Sequence, residues 1–230
     1  MHSLLDQAVR NNALWCEAVL RARGISSRWA GSFWLAAERA PTYYPNLITL
    51  SEAADIQAGI VELSDRLAPG WGIKDSFSCL ELGDQGYSLV MSGSWYAQSE
   101  AVPEQPDAPG DVRVVLGAAE LAQWLVGWGG GEPDGVPVFP PAMLNTEGVA
   151  FIHRIEDHRS VAGLVANLSD EVVGISNLFG AGEQLAACID QARAFGRRRT
   201  LVGYGDHDEL ALLESFGFVA LGPVRIWIRG

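Results

Sequence analysis

The chain has 230 residues, 48% of them hydrophobic and 9% aromatic, which is enough for one large or two small packed domains. A formal net charge of −12 and an isoelectric point near 4.7 argue against a nucleic-acid partner, whose phosphates require a basic face. Three cysteines that form no CxxC pair and leave an odd one point to a reduced, cytoplasmic compartment.

At the N-terminus Leu5, Ala8, Val9, Asn12, Cys16, Val19 and Leu20 share one helical stripe, so an amphipathic helix is expected to run to Arg23 and stop at Gly24. Asp6 and Arg10 lie inside this stretch, which therefore does not read as a signal peptide. No uncharged apolar run is long enough to cross a bilayer, so no membrane partner is expected. Asn46 to Leu50 reads as a strand that runs into the acidic Ser51 to Asp55, and Ile56 to Leu67 as a helix. The segment Gly72-Ile73-Lys74-Asp75 is followed by Gly86-Tyr87 and a strand that closes at Trp95-Tyr96. Ser99 to Asp111, dense in Pro and acidic residues, reads as a linker.

Beyond the linker the expected order is a strand at Val112 to Leu116 and a helix at Ala118 to Gly127 with Leu121, Trp124 and Leu125 buried. A long Gly- and Pro-rich stretch from Gly129 to Pro141 comes next. Ala150 to Glu156 and Ser160 to Leu168 read as strands around the turn Asp157-His158-Arg159. Val172 to Phe179, rich in β-branched residues, is expected to be a buried strand that empties into Gly180-Ala181-Gly182. A helix starts there, with Leu185, Cys188, Ile189 and Ala192 on its core face. Arg197-Arg198-Arg199 follows it as a solvated turn favoured by the helix dipole, or as a phosphate contact. The strand Thr200 to Gly205, a helix opened by Asp206, the pair Gly217-Phe218 and a last strand to Ile228 complete the chain. The eight tryptophans are scattered over both halves, which suits core positions.

Glycines ahead of a helix let main-chain N–H groups face a small concavity, and the helix dipole makes that concavity attractive to a phosphate. The segment Asn177-Leu178-Phe179-Gly180-Ala181-Gly182 resembles the pyrophosphate loop, Q/R-x-x-G-x-G/A, of the GNAT acetyltransferase superfamily, and the strand, helix, Gly-Phe and final strand continue that family's order. The resemblance implies an α/β (α+β) fold with a GNAT-like mixed sheet flanked by helices. It also implies acetyl-CoA as acyl donor, held by Asn177, Leu178, Phe179, Gly180, Ala181, Gly182, Glu183 and Asp206, and a small amine as acceptor. In the family an Asn opens the last helix and a Tyr sits four residues before the Gly of Gly-Phe; here Asp206 and Leu213 stand in those places. With Leu213 unable to donate a proton, Tyr204 is the first candidate to protonate the leaving thiolate and His207 the second. Main-chain polarisation of the carbonyl would fall near Leu178. For the base, Glu156, His153 and Glu171 remain open, and no metal is expected because His153 and His158 lack a recognised ligand spacing. By the same resemblance the stretch from Gly129 to Pro141 is either a mobile lid over the acceptor or a plain surface connection.

Asp75 precedes Gly86-Tyr87, and Asp206 precedes Gly217-Phe218, by the same number of positions, and each copy has a periodic helix upstream. This suggests an internal duplication of the α/β unit. The expected organisation is a partial GNAT-like support domain at 1–98 packed beside the second half, a linker at 99–111 and an acetyltransferase-like domain at 112–230. The functional expectation is an acetyl-CoA-dependent N-acyltransferase of a small amine. Its alternative is a catalytically weak acyl-CoA-binding or protein-interaction module of the same fold.

Overall fold

The computed structural model describes residues 3–53, 55–98, 111–129, 137–169 and 171–230. Nearly all of the expected linker and the glycine-rich part of the expected lid lie outside the described residues. In chain order the elements are α1 Leu4–Ala22, β1 Ser27–Ala30, β2 Phe33–Ala36, β3 Leu47–Thr49, α2 Ile56–Arg66, β4 Gly72–Asp75 and β5 Tyr87–Gln98. They continue with β6 Asp111–Val114, α3 Ala118–Trp128, β7 Val149–Glu156, β8 Arg159–Leu168, β9 Val172–Phe179, α4 Gly182–Phe195, β10 Thr200–Gly205, α5 His207–Glu214 and β11 Val219–Arg229. The protein is mixed α/β, as the glycine-loop resemblance implies.

Two compact units share these elements: one holds residues 1–95, 204–210 and 220–230, the other 96–203 and 211–219. The chain passes from the first unit to the second at Trp95–Tyr96, just before the expected linker, and returns to the first at 204–210 and 220–230. The last strand, expected in the C-terminal domain, lies in the first unit. There β11 pairs antiparallel with β4 from Arg225↔Asp75 to Ile228↔Gly72 and so covers an edge of β4 that would otherwise stand open.

In the first unit β1–β2 and β2–β3 are antiparallel, and β3 is joined to its parallel neighbour β4 through α2. Alternate residues of the strands face opposite layers. Leu35, Leu47 and Ile73 pack with Ile60, Leu63 and Trp71 on the α2 side, while Trp34, Ala36 and Ile48 pack with Ala13, Cys16 and Leu20 of α1. A capping box starts α1: Ser3 Oγ accepts from Asp6 N at 3.1 Å and Asp6 Oδ2 from Ser3 N at 3.0 Å.

In the second unit β6–β7, β7–β8 and β8–β9 are antiparallel, and α4 connects β9 to its parallel neighbour β10. Asp157 and His158, both at positive φ, make the tight β7–β8 turn. The order of two antiparallel pairings, a helix and a parallel strand thus occurs in each unit. Trp124 of α3 meets Phe151, Phe179 and Phe139 edge-on at centroid distances of 5.2, 5.3 and 5.9 Å, and its indole N–H donates to the Ile152 carbonyl at 2.9 Å. Val138, Phe139 and Met143 are fully buried, so the described end of the expected lid is anchored in this aromatic core.

Candidate active site

The end of β9 departs from regular pairing where the glycine loop begins. On β8 the register moves from Val165 to Gly163 while on β9 it moves from Ser176 to Phe179, so β9 carries one extra residue, a bulge at Asn177-Leu178. Asn177 takes a positive φ of 54°, a conformation Asn tolerates better than most residues, and its Oδ1 accepts from Ser176 Oγ at 3.0 Å. Main-chain groups that a regular ladder would consume are released here, at the position where the resemblance puts polarisation of a carbonyl. Pairing with β10 runs only from Thr200↔Val172 to Val202↔Gly174, short of the bulge.

Phe179 is the anchor of the loop. A Cβ on Gly163 would lie 2.6 Å from its ring and one on Gly127 2.8 Å from it, so these two glycines form the slot that the ring fills. Gly180 and Gly182 then do different things. At Gly180, with φ 91°, a Cβ would lie 2.4 Å from Ala162 Cβ and 2.6 Å from its Cα, so the close approach is to β8. Gly182, with φ 49°, has open space where a Cβ would stand. It opens α4, whose N-terminus receives no side-chain cap from Ala181, so the orphan N–H groups and the dipole of a full-length helix are directed at that space. Such an end favours an anion. Glu183 in the first turn works against it, and Glu156 stands near: its oxygens accept from Gln184 Nε2 at 3.4 and 3.3 Å and pair with Arg154 Nε at 3.0 Å.

The structure brings Asn177 to Glu183 together in the second unit and places Tyr204, Asp206 and His207 in the first. Asp206 caps α5, its Oδ1 accepting from Glu209 N at 2.9 Å, and His207 is exposed at the first position of that helix. Tyr204 is half-buried, its ring tilted against Trp95 at 5.2 Å and lying 3.9 Å below the ammonium of Lys74. Leu213 is fully buried. Of the three groups considered as base, Glu171 lies at the opposite end of β9 from the loop, and Glu156 accepts from Gln184 of the loop helix. No cysteine is poised to react: burial and the Asp75 carboxylate push Cys79 up to about 11, and burial pushes Cys188 up to about 12.

His153 is buried in β7, its Nδ1 2.8 Å from Ser160 Oγ, and burial lowers its pKa from the ordinary value of 6.5. Above that value both folded and unfolded chains hold it neutral; below it only the unfolded chain takes up the proton, so stability falls with pH until the depressed folded value is reached. The urea midpoint of the wild-type protein should therefore drop more between pH 7.5 and pH 5.5 than that of His153→Gln. Equal drops would remove His153 as the source.

Solved structures with a similar fold include GCN5-related N-acetyltransferases. The one from Kribbella flavida is 16% identical, with 96% of this chain and 95% of that one covered and a TM-score of 0.63. A putative acetyltransferase of the GNAT family from Novosphingobium aromaticivorans is 15% identical over 94% and 98% of the two chains, with a TM-score of 0.59. This chain has the GNAT fold. A third neighbour, the C-terminal domain of a putative lysylphosphatidylglycerol synthetase from Agrobacterium fabrum, is 10% identical over 98% and 91%, with a TM-score of 0.51. No family model matches the sequence, and no curated protein matches it in sequence. Among the described residues no helix is long and apolar enough to cross a membrane.

The sequence missed three features of the candidate site and its surroundings. The Phe179 slot could have been suspected from glycines inside a helical and a strand pattern, at 127 and 163. The contact of Gln184 with Glu156 and that of Lys74 with Tyr204 join distant segments and leave no local signal.

Proposed function

We propose that the protein is an acetyl-CoA-dependent N-acyltransferase of a small amine, with the donor held by the second unit at the β9–α4 loop. The observation that carries this reading is the junction of the Asn177-Leu178 bulge with an uncapped helix N-terminus across Gly180-Ala181-Gly182. The helix end would take the pyrophosphate on its N–H groups, and the bulge would present a main-chain N–H near Leu178 to the thioester oxygen as negative charge develops there. The neutral amine attacks the carbonyl carbon; as the C–S bond breaks the thiolate takes up a proton, and the proton shed by the acylated nitrogen passes through solvent to restore the donor, a thiol of pKa about 8.5 needing only modest help near neutrality. Tyr204 is our candidate to supply that proton: its ring is fixed by Trp95 and Lys74, and its hydroxyl has no hydrogen-bond partner among the described residues. The first unit, with its acidic stretch after β3, is read as a degenerate second copy that binds no nucleotide.

Free thiol released from acetyl-CoA in the presence of a panel of small amines tests the activity. Release that depends on both substrates supports it; binding of acetyl-CoA without release by any amine would favour the weak acyl-CoA-binding module instead. With a working amine, Tyr204→Phe should lower turnover about a hundredfold and leave CoA affinity unchanged. Wild-type turnover would leave main-chain polarisation and positioning as the whole of catalysis.

A further inference from the structure

Next to α1 the first unit buries a cation without a carboxylate partner. Lys74 of β4 is 1% exposed. Its Nζ donates to Asn12 Oδ1 at 2.6 Å and faces the Tyr204 ring at 3.9 Å. No carboxylate pairs with it among the described residues. Asp75, next in the strand and buried as well, is engaged elsewhere: its two oxygens accept from Cys79 N at 3.2 Å and Leu80 N at 3.0 Å. Cys16, with Sγ 3.9 Å from the same Asn12 oxygen, supplies no negative charge, because burial raises its pKa and keeps it a thiol. An ammonium carries three N–H donors. One amide oxygen and one ring face do not satisfy them, and a buried charge left in that state is costly unless something of opposite sign joins it.

Further donors surround the same place. Ser76, two residues beyond Lys74 and fully buried, has no partner for its hydroxyl, although its N–H bonds Thr49 Oγ1 at 2.8 Å. Trp95 links it to the ring over Lys74, donating from Nε1 to the Ser76 carbonyl at 2.9 Å while packing on Tyr204. Tyr204 is half-buried, with its ring against the ammonium. We propose that Lys74, Ser76 and Tyr204 form a subsite in the first unit for the carboxylate of a small monocarboxylic acid. A single negative charge neutralises the single positive one, and two carboxylate oxygens match the donors that the fold leaves over. A phosphate dianion would bring uncompensated charge into a setting otherwise made of Trp95, Ile48, Ala13 and a neutral thiol. Every group of this subsite belongs to the first unit, and it shares Tyr204 with the acyl-transfer reading.

The probes are acetate and benzoate, titrated against chloride at constant ionic strength on the full chain, with acetamide and benzamide as uncharged counterparts and the unfolding temperature as readout. A ligand that binds only the folded chain raises that temperature in proportion to the logarithm of its saturation. Both acids should raise it, the amides should not, and Lys74→Met should abolish the response. If Lys74→Met does not fold, Ser76→Ala replaces it and should weaken the apparent affinity for the acids at least threefold. No response of the wild-type chain to either acid, an equal response to the amides, or an unchanged response in the folded variant used would overturn the proposal.

Discussion

Gly180→Ala should destabilise the protein by on the order of 3 kcal/mol, a sum of overpacking and backbone strain. The added methyl would stand 2.4 Å from Ala162 Cβ, 2.6 Å from Ala162 Cα and 2.8 Å from the Val161 carbonyl oxygen, and two of those three atoms are main chain of β8 that cannot swing aside. The φ of 91° adds a conformation that a residue with a Cβ avoids. Relief would require β8 and the bulged end of β9 to separate, which would also draw Phe179 from the slot between Gly127 and Gly163. Urea unfolding of the full chain measures the loss. A midpoint equal to that of the wild type would mean that the loop does not lie against β8 as described.

Gly182→Val should behave in the opposite way, lowering CoA affinity at least about tenfold, or roughly 1.4 kcal/mol, while the protein stays folded. Its side chain meets nothing within 4 Å, so no packing is violated. The cost to the fold is the strain of a β-branched residue at a φ of 49°, on the order of 1–3 kcal/mol. The cost to binding arises because the branched side chain occupies the open space in front of the α4 N-terminus, where the N–H groups would meet the pyrophosphate. Calorimetry on the folded variant decides the matter; unchanged affinity would move the donor away from this loop. The two glycines, one residue apart, thus separate a structural requirement from a binding one.

Much of this fold was legible in the sequence because it is local. The β-branched run from Val172 to Phe179 followed by Gly-Ala-Gly gives strand, turn and helix start without reference to the rest of the chain, and the helical stripe of α1 does the same. Compact units were not legible. What puts β11 beside β4 is a strand pairing between segments separated by most of the chain, so the composition shift near 99 marks one change of unit and gives no sign of the later returns. The candidate site divides along the same line. Asn177 to Glu183 are contiguous, so their grouping follows from sequence, and the bulge that gives them their geometry shows only in the register. Lys74 carried no signal at all: in Gly-Ile-Lys-Asp it reads as an ordinary strand residue, and the Asn12 amide and Tyr204 ring that surround it come from distant parts of the chain.

Amide hydrogen exchange of the full chain, with and without saturating acetyl-CoA, tests the location of the donor most directly. The predicted result is slowed exchange from Ser176 to about Leu185, covering the bulge, the glycine loop and the first turn of α4, with no change in the corresponding stretch of the first unit after β3. Slowed exchange confined to that first-unit stretch, or no change at Ser176 to Leu185 under conditions where acetyl-CoA is bound, would contradict it.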